Sequence, residues 1–162
     1  MVEIKHIRTL LARNPFFEGM SDTHLETMAG CGKLVRFKPS EFLLREGEKA
    51  DTFYVIRDGE VAIESDTPAG PVSVARVGAG GITGYSWLFP PHRNGFDSLA
   101  LTNVSAVALD GECLRSKAEA DRELGYQLMK RFAQVMLDRL QATRRQMLDV
   151  YANRRTTDAA PG

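Results

Sequence analysis

Between Gly80 and Arg93 the chain reads Gly-Gly-Ile-Thr-Gly-Tyr-Ser-Trp-Leu-Phe-Pro-Pro-His-Arg. Glycines admit positive φ and let a backbone approach a ligand closely. A short helix opening just after Gly84 would aim unsatisfied N–H groups at an anion. Arg93, arriving from the other side, could fork onto a phosphate. The stretch therefore outlines a phosphate cradle, with Gly84, Tyr85, Ser86, Trp87 and Arg93 as candidate ligand contacts. The competing reading is that Tyr85, Trp87, Leu88 and Phe89 fill or line the pocket themselves. Asp97, shortly after, could pair with Arg93 or with Arg76 and so neutralise the arginine.

Catalytic chemistry finds no comparable support. His6, His24 and His92 lie in three distant segments without metal-ligand spacing. No Ser-His-Asp or Cys-His set can be argued from residue order. The expectation is a protein that is not an enzyme and carries no metal or cofactor.

The elements that must position the cradle come next. Ile4, Ile7, Leu10 and Leu11 recur at helical spacing, and Asn14-Pro15 stops that helix. Phe16 and Phe17 read as an aromatic plug. Ser21 is a good N-cap for a helix over Asp22–Ala29, with Met20 and Leu25 placed as a hydrophobic staple and Gly30 or Gly32 as its close. From Lys33 the period changes to that of strands: 34–37, 42–44, 53–56, 61–63, 72–77, 98–101 and 105–109, with turn signals at Arg57-Asp58-Gly59 and Thr67–Pro71. Short strands at this spacing predict an α+β protein built on a β jelly roll. Without βαβ alternation or GxGxxG, a dinucleotide fold is not expected.

After Asp110 the pattern turns helical again. A short connecting helix near Glu112–Lys117 leads to a long one ending at about Tyr151. Met129, Ala133, Met136, Leu140, Thr143, Met147 and Val150 alternate by four and three, the seam of a coiled coil. This predicts a homodimer through the 129–150 helix. A second stripe of Leu128, Phe132, Val135 and Leu137 is placed to pack the helix on the β domain. The expected organisation is a β-roll domain with N-terminal helices over 1–118, a long C-terminal dimerisation helix over 119–152, and a disordered tail over 153–162.

The chain has 162 residues and a formal net charge of zero, so a broad electrostatic footprint for nucleic acid or an anionic membrane is absent. The opening residues lack an apolar signal region, and no run approaches the ~18 apolar residues of a membrane span. The two cysteines, Cys31 and Cys113, read as reduced thiols. A cytoplasmic location is expected.

Gly47-Glu48-Lys49-Ala50-Asp51, the strand Phe53-Tyr54-Val55-Ile56 and the turn at Gly59 carry a further signal. Together with Val77–Gly84 and Arg139–Thr143, they resemble the cyclic nucleotide-binding domain of the catabolite-activator (Crp/Fnr) type. The resemblance covers nearly the whole chain. It implies a sensor module for cyclic AMP or cyclic GMP that signals through its C-terminal helix to an unidentified protein partner. It assigns ligand contacts to Gly84, Tyr85, Ser86, Trp87, Arg93, Asn94 and Thr143, although Thr143 is equally well placed as a register-setting seam residue. The sequence departs from the family pattern at several points. Tyr85 stands where a glutamate usually takes the ribose 2′-hydroxyl, Thr83 where an aromatic precedes the glycine, and Gly81 where an acid is usual. Arg93 comes about one residue early, followed by Asn94, and Gly95-Phe96 replace a small residue and an alanine. Loss of the glutamate predicts roughly ten- to hundredfold weaker nucleotide binding. The alternative is a degenerate fold that binds no nucleotide and acts as a dimeric scaffold or takes a more apolar ligand. The family's regulators carry a helix-turn-helix after the long helix, and this chain stops about a dozen residues on. Direct DNA binding is therefore not expected.

Overall fold

The computed structural model describes residues 2–158, with side chains described through residue 155. Helix α1, Val2–Ala12, buries Ile7 and Leu11 and ends ahead of Pro15. The Asn14 side chain accepts the Phe16 N–H at 2.9 Å and opens a 3-10 turn, Pro15–Phe17. Helix α2, Asp22–Ala29, has the bounds its sequence predicts. Ser21 caps it by accepting the His24 N–H at 3.2 Å, and Gly30 closes it. Met20 and Leu25, the expected staple pair, are both buried.

Eight strands follow: β1 Gly32–Phe37, β2 Phe42–Leu44, β3 Thr52–Asp58, β4 Val61–Thr67, β5 Gly70–Val77, β6 Ile82–Thr83, β7 Asp97–Ala100 and β8 Val104–Asp110. They form two antiparallel four-stranded sheets, in the orders β1-β8-β3-β6 and β2-β7-β4-β5. This is the expected jelly roll. Leu44, Ile56, Val61, Ile63, Val104 and Ala106 belong to its buried apolar core. Strand β6 escapes sequence reading because two residues cannot show a period. Its pairing with β3 (Tyr54 with Thr83, Val55 with Ile82) makes it a strand.

Strand register decides the fate of the cysteines. Strand β1 begins where β8 ends, with Gly32 opposite Leu109. Cys31 immediately precedes β1, and Cys113 lies in the first turn of α3, Gly111–Ala120. The two are joined in a disulfide with their Cα atoms 5.7 Å apart. This overturns the expectation of two reduced thiols: residues 82 positions apart meet only through the β1–β8 pairing. On a chain-entropy account, closing a loop of that length stabilises the fold by about 4 kcal/mol.

Asp110 caps α3 by accepting the Cys113 N–H at 2.7 Å. At the other end Asp121 accepts the N–H groups of Glu123 (3.1 Å) and Leu124 (3.2 Å) and so opens α4, Arg122–Asp158. Leu124 and Leu128 on its first turns are fully buried. The chain divides into two compact units, Met1–Leu128 and Met129–Gly162, and the division falls within α4. Within the second unit the seam residues Met129, Met136, Leu140, Met147 and Val150 are exposed. Helix α4 continues through Asp158, so residues 153–158 of the expected disordered tail are helical. The rest of that tail lies outside the described residues.

The elbow between α3 and α4 is tied back to α2, where His24 Nε2 lies 3.1 Å from Asp121 Oδ2. The Asp121 carboxyl is held below its ordinary pKa chiefly by the Leu124 N–H, with the His24 contact and the Glu123 N–H adding to it against a desolvation penalty. A depressed carboxylate pKa contributes stability above the unfolded value of about 3.9, and that stability is lost as pH falls through the folded value. Asp121→Asn keeps a capping oxygen but removes the charge. It is expected to lower the thermal midpoint at pH 7, with the deficit shrinking as pH falls below the unfolded value of about 3.9. Calorimetry across that range checks the sign; a deficit that does not vary with pH would show that the charge is irrelevant.

Candidate functional site

Strand β6 delivers the chain to the cradle through a buried hydroxyl pair. Thr83 Oγ1 lies 2.7 Å from Ser98 Oγ of β7, both residues fully buried. Gly84 follows at φ +89°, where a Cβ would stand 2.6 Å from the Thr52 carbonyl oxygen and 3.0 Å from Leu44 Cδ1. Both the dihedral and the space require glycine. Tyr85 then leads into a 3-10 turn, Ser86–Leu88. Its half-buried ring meets Phe96 edge-on, with centroids 5.7 Å apart. Ser86 is half-buried. Trp87 is fully buried and stacks on Phe53 of β3 at 6.4 Å, and Phe53 in turn meets Phe16 at 5.5 Å. The Leu88 and Phe89 N–H groups donate within the turn, to Tyr85 and Ser86 carbonyls at 3.2 Å each.

The far end of the cradle is gripped by the segment that carries the strongest sequence motif. Ala50 N–H donates to the His92 carbonyl (2.7 Å), Asn94 N–H to the Glu48 carbonyl (2.8 Å), and Gly47 N–H to the Asn94 carbonyl (2.8 Å). Lys49 and Arg93 face each other in an isolated antiparallel bridge. Arg93 is exposed, and its Nη1 donates to the Gly47 carbonyl at 3.0 Å. Asn94 is buried, and its side-chain amide donates to the Arg45 carbonyl at 3.0 Å. Both candidates therefore brace the 45–49 loop.

The sequence candidate for neutralising Arg93 is engaged elsewhere. Asp97 lies 3.6 Å from Arg45 Nε and accepts the Glu46 N–H at 2.7 Å. Arg76 faces Glu60 at 3.7 Å. The expected Asp97 pairings with Arg93 or Arg76 are thus replaced by one with Arg45, because β2 and β7 are neighbours in one sheet. The Arg45 guanidinium also stands over the Phe42 ring, 3.9 Å from its centroid. On β3, burial raises the Tyr54 phenol above its ordinary pKa; a Thr52 hydrogen bond opposes this and the Asp51 charge adds to it.

Helix α3 closes over the cradle turn. Arg115 Nη1 donates to the Trp87 carbonyl at 2.6 Å, and Gly111 N–H donates to the Asp51 carbonyl at 2.8 Å. A Cβ on Gly111 would lie 2.8 Å from Trp87 Cβ. Sequence reasoning placed a short connecting helix near Glu112–Lys117 but missed this docking, along with the Thr83–Ser98 pair. Gly111, in the first turn of a helix where glycine is unfavourable, was the one available signal. Thr143 lies on α4 in the second unit and is exposed. Among the described residues no helix is long and apolar enough to cross a membrane.

Residues 34–121 match the cyclic nucleotide-binding domain family. The chain belongs to this family. Cyclic nucleotide-binding domains of this kind are sensor modules and are generally not catalytic. The chain is 27% identical over 142 residues to the CRP-like cAMP-activated global transcriptional regulator of Mycobacterium tuberculosis, covering 87% of this chain. It spans 62% of that relative's length. Among solved structures, a protein from Geobacter metallireducens GS-15 shares 26% identity with a TM-score of 0.73, over 86% of this chain and 99% of the other. A cyclic nucleotide-binding domain from Methylobacillus flagellatus has the same fold, with 21% identity and a TM-score of 0.75 over 90% and 83% of the two chains.

Gly84→Ala tests the cradle turn directly. The left-handed backbone and the contact with the Thr52 carbonyl are expected to cost about 1–3 kcal/mol. Urea unfolding measures it, and an unchanged midpoint would show that the turn relaxes freely.

Proposed function

We propose that this chain is a cytoplasmic ligand sensor of the cyclic nucleotide type, which takes cyclic AMP or cyclic GMP weakly at the Gly84–Trp87 turn. The observation that carries this reading is the turn itself. Gly84 is wedged at positive φ against β3, and the following 3-10 turn is anchored by a buried tryptophan. That turn is already formed and braced by its packing before any ligand arrives, and such preorganisation lowers the cost of binding. Arg93 supplies positive charge at the rim. Ligand draws the 84–93 loop inward, α3 follows because Arg115 holds the Trp87 carbonyl, and a protein partner reads the change as a population shift.

The Tyr85–Phe96 contact favours a second reading. An aromatic pair stands where a ribose-binding acid is usual, and Arg93 is engaged with a backbone carbonyl. A less polar ligand suits such a rim. Isothermal titration separates the two. Cyclic AMP or cyclic GMP is expected to bind at up to millimolar concentration, and Arg93→Ala to weaken that binding by about tenfold, the loss of one charged hydrogen bond. No heat and no melting shift at millimolar nucleotide would discard the nucleotide reading in favour of the apolar one. Unchanged affinity in Arg93→Ala would place the phosphate elsewhere.

We propose also that two copies associate through the 129–150 seam. Its exposed Met129, Met136, Leu140, Met147 and Val150 support this. Sedimentation at tens of micromolar is expected to show a dimer, on the scale where a specific interface holds, and Leu140→Glu to yield monomer. A wild-type monomer under those conditions would remove the seam from the mechanism.

A further inference from the structure

We propose that Cys31 and Cys113 form a thiol–disulfide modification site, a reversible clamp on α3 that is opened by a dithiol and closed by its oxidised form. The inference takes its cellular setting from the cytoplasmic location proposed above, where disulfides are generally transient and redox-sensing. It does not depend on which ligand the cradle holds.

Helix α3 has two sets of attachments. Cys113 binds Cys31 and Asp121 contacts His24, which ties both ends of the helix to the α2–β1 corner. Gly111 N–H donates to Asp51 and Arg115 donates to Trp87, which ties the same helix to the cradle. The disulfide is therefore the covalent member of a set that holds the cradle turn against the N-terminal helices. A cavity of about 330 Å³ opens at the bond, lined by both cysteines with Gly30, Gly32, Lys33 and Asp110. Cys113 is half-buried, and Cys31 is 8% exposed. A sulfur reached through a cavity at the surface is open to exchange, whereas one sealed in a core is inert.

Exchange follows from that access. A thiolate of the dithiol attacks Cys113 Sγ, the Cys31–Cys113 bond breaks, and Cys31 leaves with the electron pair as a thiolate, with Lys33 in the same cavity wall. The second thiol of the dithiol attacks its own sulfur in the mixed disulfide and releases Cys113. Each protein thiolate takes up a proton. Two electrons and two protons pass to the protein, and the dithiol becomes a cyclic disulfide. The reverse exchange closes the clamp.

Trp87 is the chain's one tryptophan and lies against Gly111, so it reports on α3. The full chain is equilibrated with dithiothreitol and then with its oxidised form. Alkylation and mass measurement count the thiols, tryptophan emission follows the docking, and amide exchange is read over 84–88 and 111–120. Reduction is expected to add two alkylation sites, shift Trp87 emission and speed exchange of the α3 amides by about tenfold, all reversed on re-oxidation. Cys31→Ser is expected to carry one alkylation site, to match the reduced protein in emission and exchange, and to ignore both reagents. Equal emission and exchange in the two redox states would overturn the clamp. So would thiols that fail to close under the oxidised reagent. Because the wild-type chain carries the comparison, a poorly folding variant leaves the test intact.

Discussion

The burial of Trp87 is the constraint on which the functional half of the molecule rests. Its indole is inserted into the β core on Phe53, its carbonyl is taken by Arg115, and its Cβ fits only because residue 111 is glycine. One side chain therefore joins three layers: the aromatic column of Phe16 and Phe53, the cradle turn, and α3. Packing in such a column is close to that of a solid, so displacement at one point is transmitted and not absorbed. A turn held in this way presents a preformed backbone at its rim, and a helix held in this way is coupled to the turn.

The rim itself is organised by backbone hydrogen bonds more than by charge. The 45–51 segment grips residues 92–94 strand-fashion, and every sequence candidate on that side has a structural partner: Arg93 on Gly47, Asn94 on Arg45, Asp97 on Arg45 and Glu46. The exposed Arg93 is the more adaptable of these, because a guanidinium carries five donors and one carbonyl engages only one or two. Asn94 is buried, and moving it would leave the 45–49 loop unsupported. The geometry thus separates the two neighbours into a rim cation and an internal brace, a distinction their adjacency in sequence conceals.

The strands were legible wherever a period of two ran for several residues, as over Val72–Val77, and the helices wherever a cap and a stop coincided, as at Ser21 and Gly30. The cradle turn was legible because its glycines mark a local change of backbone direction, although the close approach of Thr52 and Leu44 to Gly84 was not. Residues whose roles depend on distant neighbours read differently. Thr83 looked like a missing aromatic; it is half of a buried hydroxyl pair, since β7 brings Ser98 alongside. The Trp87 side chain is packed in the core on Phe53, a position its sequence neighbours do not announce. The tail beyond Ala152 lacked an apolar pattern, yet a helix needs no apolar face to continue for another turn or two once it is nucleated.

The sequence by itself determined the local chemistry: capped helices, alternating strands, the glycine turn and the long seam-bearing helix rest on interactions within a few residues, and the spacing of the short strands pointed to the jelly-roll class. The tertiary structure alone decided the disulfide, the partner of Asp97, and the docking of α3 on Trp87. Each depends on strand register or on the approach of segments far apart in the chain. The outline of a cradle between Gly80 and Arg93 was written locally. Its attachment to a cross-linked helix was set by β1 lying antiparallel to β8, which brings Cys31 to Cys113.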